Sequence, residues 1–110
     1  MKKLITLLIV CLLVSNLTAQ TKYISHYKNG NVMEIGTITN GEKDGSWIRY
    51  DESGKKLAEA YFVKGKKNGK WIIWDSNGTK RYELTYSMNK KIGKWFMFDE
   101  KGNLSSERNY

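Results

Sequence analysis

Short apolar runs led by tryptophan recur along this chain at a fixed interval of 24 residues: Trp47-Ile48-Arg49-Tyr50, Trp71-Ile72-Ile73-Trp74 and Trp95-Phe96-Met97-Phe98. Aromatic and β-branched side chains in runs this short suit a pleated strand. Directly after each run comes Asp-x-x-Gly, at Asp51 to Gly54, Asp75 to Gly78 and Asp99 to Gly102. Aspartate there can accept a bond from the backbone two residues on, and glycine supplies a left-handed angle, so each motif predicts a hairpin on a type I turn with a glycine bulge. The pattern then alternates. Ala58, Ala60 and Phe62 share one parity, as do Tyr82, Leu84 and Tyr86, while Glu59 and Glu83 take the other. That is the signature of half-buried strands.

A period with glycines and aromatics locked in phase predicts one small unit stacked on copies of itself, each too small to bury its own apolar face. Three units follow, at 41–64, 65–88 and 89–110. Projected backwards, the period finds a degraded copy at 20–40: Gly30 precedes Gly54, Ile38 precedes Phe62, Tyr23 takes the tryptophan slot and His26 the Tyr50 slot. Glu34 falls one residue early for the glutamate row, so it is expected on the opposite face. The expected fold is all-β, an elongated antiparallel meander of four hairpins and eight strands in a single twisted sheet. Counting outward from Asp51 opposite Lys55 sets Trp47 opposite Glu59, Trp71 opposite Glu83 and Trp95 opposite Glu107. One face would then hold Ile48, Tyr50, Ala58, Ala60 and Phe62, and the other the tryptophan and glutamate rows. Successive tryptophans would stand roughly 10 Å apart, with Leu57, Tyr61 and the stem of Arg81 filling between them.

The N-terminus changes the picture of where the chain works. Lys2-Lys3, an apolar run from Leu4 to Val14 broken only by Thr6, and Ser15-Asn16-Leu17-Thr18-Ala19 read as a cleaved signal peptide over residues 1–19. The run is too short for a span, which needs roughly 20 residues. A lipid-modified Cys11 is the rival reading, opposed by Val10 before it. The mature protein would be periplasmic or extracellular, 91 residues from Gln20 to Tyr110, without a thiol. The formal charge of +8 for the whole chain becomes +6 without Lys2 and Lys3. Its lysines are scattered through turns, which suits edge protection and solubility better than nucleic acid, and export argues against nucleic acid as well.

No arrangement of residues points to a reaction or a cofactor. Glu59, Glu83 and Glu107 repeat in matched surroundings, whereas acid/base chemistry needs two groups converging in different environments. Asp51, Asp75 and Asp99 are accounted for as turn caps, and calcium would need several oxygens about one ion. His26 is the one histidine, with no second histidine or partner cysteine to complete a zinc site. Surface remains: Trp47, Trp71, Trp95, Tyr50, Trp74 and Phe98 with Glu59 and Glu83 are the candidate binding residues, since a lone sheet has nothing to cover its aromatics.

The pattern Gly-x-x-x-Gly-x-Trp-x-x-aromatic-Asp-x-x-Gly, carried from Gly41 onward with Asn89 in place of the third leading glycine, resembles the variant form of the MORN repeat. The resemblance implies an elongated antiparallel sheet used for binding. Many bacterial members are labelled antitoxin components of toxin-antitoxin systems, and better-known MORN proteins are linked to membrane phospholipids. The expected function is an exported, non-enzymatic protein-binding module or scaffold, antitoxin-like by that label. The alternative is attachment to envelope glycan or anionic lipid. Self-association is expected through the C-terminal edge strand, a template for another strand.

Overall fold

The computed structural model describes residues 19–110; the expected signal peptide up to residue 18, with Cys11, lies outside them. A single antiparallel sheet contains every described strand. These are β1 (Gln20–His26), β2 (Val32–Thr39), β3 (Glu42–Tyr50), β4 (Lys56–Val63), β5 (Lys66–Lys67), β6 (Gly69–Trp74), β7 (Lys80–Ser87), β8 (Lys90–Lys91), β9 (Lys94–Phe98) and β10 (Leu104–Asn109). The path runs β1-β2-β3-β4-β6-β7-β9-β10, with the two-residue β5 and β8 paired to β4 and β7. The meander is therefore the expected one, and no described residue is helical. Ten strands replace the expected eight because breaks at Asn68 and at Ile92-Gly93 interrupt what is continuous in β3.

Asp51, Asp75 and Asp99 cap their turns as the motif predicts. Each Oδ1 accepts from the amide two residues on (Ser53, Asn77, Lys101) and from that four on (Lys55, Thr79, Asn103), at 2.8 to 3.1 Å. The first hairpin has Tyr27 at this position, and the side chains of Asn29 and Asn31 instead donate to the Glu52 carbonyl. At the other end of the strands, Asn40-Gly41, Lys64-Gly65 and Met88-Asn89 each place two consecutive residues at positive φ, the type I′ geometry that matches strand twist. Asn89 takes the glycine place at φ 72°, a conformation asparagine tolerates.

The register differs from the outward count by one residue. Tyr50 pairs with Lys56, but Arg49 pairs with Ala58, Ile48 with Glu59 and Trp47 with Ala60. Leu57 is the unpaired residue of a bulge. The same slip leaves Met33, Arg81 and Ser105 unpaired, one per unit. Every side chain beyond it moves to the opposite face from the one counted. Trp71 therefore faces Leu84 and Trp95 faces Arg108, not glutamate. The tryptophans share a face with Ala58, Ala60 and Phe62, and the glutamates share the other with Ile48. Glu34, as expected, lies on the face opposite Glu59: it pairs with Arg49 and its carboxylate meets Lys43 at 3.4 Å and Arg49 at 3.8 Å.

A second irregularity seats the indoles. Ile35 pairs with Ile48 and Thr37 with Asp44, so Gly45, Ser46 and Trp47 stand against Gly36 alone. Gly45 bends the strand at φ 75°, and Trp47 lies flat on Gly36, 3% exposed. A Cβ on Gly36 would come within 2.1 Å of the ring. Overpacking of this kind costs about 1–3 kcal/mol, so Gly36→Ala is expected to lower the melting temperature by several degrees, at about 4–8 °C per kcal/mol for a domain of this size. A thermal melt matching the parent would contradict the flat seating of Trp47.

Candidate functional site

The tryptophan row is one part of a continuous aromatic ladder. Along one face of the sheet the rings follow Tyr23, Trp47, Phe62, Trp71, Tyr86, Trp95, Tyr110, with centroids 5.4, 6.3, 5.2, 5.4, 5.2 and 4.8 Å apart in that order. Most meet edge to face, the arrangement ring quadrupoles favour. Phe62 and Tyr86 fill the gaps between tryptophans that had been expected of Leu57, Tyr61 and Arg81, and Tyr110 extends the row past Trp95, because the bulge turns their parity inward. Each indole N–H is also satisfied: Trp47 donates to the Thr37 carbonyl, Trp71 to Tyr61 and Trp95 to Thr85, at 2.9 to 3.2 Å. Those acceptors recur at the same period, so the indole orientation is built into each unit.

Lysines roof the ladder. Lys43 Nζ lies 4.6 Å from the Trp47 ring centre and 5.2 Å from that of Phe62. Lys67 bridges Trp71 and Tyr86 at 5.0 and 5.1 Å, and Lys91 bridges Trp95 and Tyr110 at 5.0 and 5.3 Å. Each contact contributes about 0.5–1 kcal/mol at an exposed site. Read from the sequence these lysines were edge protection; in the folded chain they also cover apolar rings with stem and ammonium.

The opposite face holds the remaining candidates. Trp74 and Phe98 lie beneath Lys56 and Lys80 at 5.9 and 5.0 Å, Tyr50 holds the equivalent position one unit earlier, and its carbonyl accepts from the Tyr27 hydroxyl at 2.7 Å. Glu59 is bound by Lys56 at 2.7 Å and Glu83 by Lys80 at 2.6 Å, with Lys70 at 4.0 Å. The eight residues singled out by sequence are thus divided: Trp47, Trp71 and Trp95 on the ladder face, and Tyr50, Trp74, Phe98, Glu59 and Glu83 behind it. They form no common site. Among the described residues no cluster of His, Cys, Asp and Glu is placed to hold a metal ion.

An open apolar groove of about 480 Å³ lies on the ladder face toward the C-terminal end, lined by Ile73, Tyr82, Leu84, Trp95, Met97 and Tyr110, with Arg108 the one charged side chain. Of these only Trp95 was chosen from the sequence. Tyr82 and Leu84 carried the signal in their shared parity with Tyr86, but the outward count assigned that parity to the face away from tryptophan.

The hydrogen bond from Lys80 holds the Glu83 carboxyl below its ordinary value of 4.5, against the upward push of partial burial, with the charges of Lys80 and Lys70 acting in the same sense. A carboxylate with a depressed folded-state value stabilises the fold above its unfolded value and loses that contribution as pH falls through the folded one. Urea midpoints of the parent chain should therefore fall between about pH 5 and pH 3 more steeply than those of Glu83→Gln. Parallel pH profiles would remove the Lys80 pair from the account.

Three segments of the chain, residues 43–64, 67–88 and 91–110, match the family model described as the MORN repeat variant. Searches of the curated proteins and of the solved structures return no match. The matched segments begin two residues after the units counted from Gly41 and keep their period, and the first hairpin folds alike outside them.

Proposed function

The chain belongs to the MORN repeat variant family, and from that premise we propose that it is an exported, non-enzymatic module that binds another protein on its ladder face. The observation that carries this reading is the groove between Ile73, Tyr82, Leu84 and Met97. It is an open apolar surface in a sheet that has no second layer among the described residues, with one guanidinium, Arg108, at hand. Surfaces of this composition, aromatic and aliphatic with a methionine and an arginine, are typical of interface cores. The partner it suits presents apolar side chains next to a carboxylate. The antitoxin label enters only as one identity for that partner, a toxin, and export from the cytosol counts against it.

Export rests on Lys2-Lys3, the apolar run after them and the small residues ending at Ala19. Amino-terminal sequencing of the protein recovered from envelope or culture fractions should read from Gln20; a chain that retains Met1 would overturn it.

Partners retained by the parent chain from those fractions, purified and tested alone, should bind at least tenfold more weakly to Met97→Lys, which costs about 1.4 kcal/mol or more. Tyr61→Lys, on the opposite face, should bind as the parent does. Equal binding by the parent and Met97→Lys, with both folded, would sink the groove as the site. A second reading, attachment to anionic lipid or envelope glycan, draws on the lysine row Lys43, Lys67 and Lys91. Vesicles with and without anionic lipid, and soluble wall fragments, separate it from the first.

A further inference from the structure

Both ends of the sheet are open in a way that fits them to each other. Among the described residues β10 is paired only with β9 and β1 only with β2. Large apolar side chains are exposed at both ends, Tyr23 and Ile24 on β1 and Leu104 and Tyr110 on or beside β10, at 42 to 53%. These four are half of all the large exposed hydrophobics among the described residues, which marks the two ends as the least covered parts of the sheet. Exposed edges carrying apolar side chains are templates for another strand.

We propose that β10 of one copy takes β1 of a second copy, head to tail, so that the sheet and its aromatic ladder continue from one molecule into the next. This goes beyond the groove and does not depend on it. The repeat itself supplies the register. In its own unit β1 holds the place of β3, β6 and β9, with Tyr23 in the tryptophan slot, and β10 holds the place of β4 and β7. Within the chain, β4 meets β6 with Ala58 opposite Ile73 and Glu59 opposite Ile72, and β7 meets β9 with Tyr82 opposite Met97 and Glu83 opposite Phe96. Carried on by one more unit, that junction puts Ser106 opposite the second copy's Ser25 and Glu107 opposite the second copy's Ile24.

Tyr110 then stands diagonal to the second copy's Tyr23, as Phe62 stands to Trp71 and Tyr86 to Trp95, both at 5.2 Å. Strand direction agrees: strands alternate along a path of eight, so β10 and an incoming β1 run antiparallel with the ladder face on the same side. Charge selects this pairing over its rival. A two-fold pairing of β10 with another β10 about Glu107 would set that carboxylate against its own copy, an unfavourable cross-strand contact. Head to tail, Glu107 faces the second copy's Ile24 and Arg108 lies by its Tyr23, so no carboxylate is set against another. Such an interface is heterologous and grows with concentration into longer assemblies.

Sedimentation of the full chain over a concentration series should show growth beyond the monomer, and Ile24→Glu, which sets a second carboxylate opposite Glu107, should demand about tenfold more protein or greater for the same average mass. Residues directly opposite in an antiparallel pair lie about 4.5–5.5 Å apart at Cα, within disulfide reach. In a Cys11→Ser background, oxidation of a mixture of Ser25→Cys and Ser106→Cys chains should give a cross-linked dimer, and either chain alone should give far less. A single monomeric species at the highest concentration would overturn the proposal. So would Ser106→Cys alone cross-linking as fast as the mixture, which would mean a two-fold pairing of β10 instead. The cross-linking arm stands even if Ile24→Glu fails to fold.

Discussion

A one-layer sheet has no interior, and the fold depends on the aromatic ladder that takes the place of one. Trp47, at 3% exposure, is the one buried hydrophobic side chain among the described residues; the other rings are covered on their flanks by each other and from above by lysine. Six ring contacts, each worth about 0.5–1.5 kcal/mol beyond area burial, run without a gap from Tyr23 to Tyr110. Each unit touches only its neighbours, so stability is nearly a sum of unit and junction contributions. Losing any ring between the terminal Tyr23 and Tyr110 breaks two ring contacts at once. The indole hydrogen bonds to Thr37, Tyr61 and Thr85 keep the rings in the orientation that makes those contacts.

Much of this was legible in the sequence because it is written in local chemistry. Asp-x-x-Gly fixed the turns, the period fixed which strands are neighbours, and Glu34 falling one residue early correctly foretold its change of face. Facing was not legible, because parity depends on counting through every irregularity. One unpaired residue at Leu57, and its equivalents Met33, Arg81 and Ser105, reverses the count. Nothing in those four side chains announces a bulge. A trace of the error was nevertheless present: pairing each tryptophan with a glutamate while leaving Leu84 and Phe62 on the other face set the hydrophobic pattern against itself, and register follows that pattern. The lysine roof was hidden for the same reason, since only correct facing brings Lys43, Lys67 and Lys91 over the rings.

What repeats holds the fold, and what varies between repeats makes one part of the ladder face unlike the rest. In the middle of the sheet the hollow beside the ladder is about 210 Å³ and is lined by Ala58 and Ala60 together with Glu34, Lys43 and Arg49. One unit later the positions of Arg49, Ala58 and Ala60 are taken by Ile73, Tyr82 and Leu84, and the groove is more than twice as large and almost free of charge. Glu34 pairs with Lys43 and Arg49 in the first hollow, so its cations are already engaged. In the second, Arg108 forms no ion pair among the described residues. The turn caps and the indole hydrogen bonds are the same in both places, so the difference lies in a handful of substitutions on the ladder face. Such positions can change without disturbing the ladder, and for that reason it is the C-terminal groove, not the tryptophan row itself, that sets one part of this surface apart from the rest.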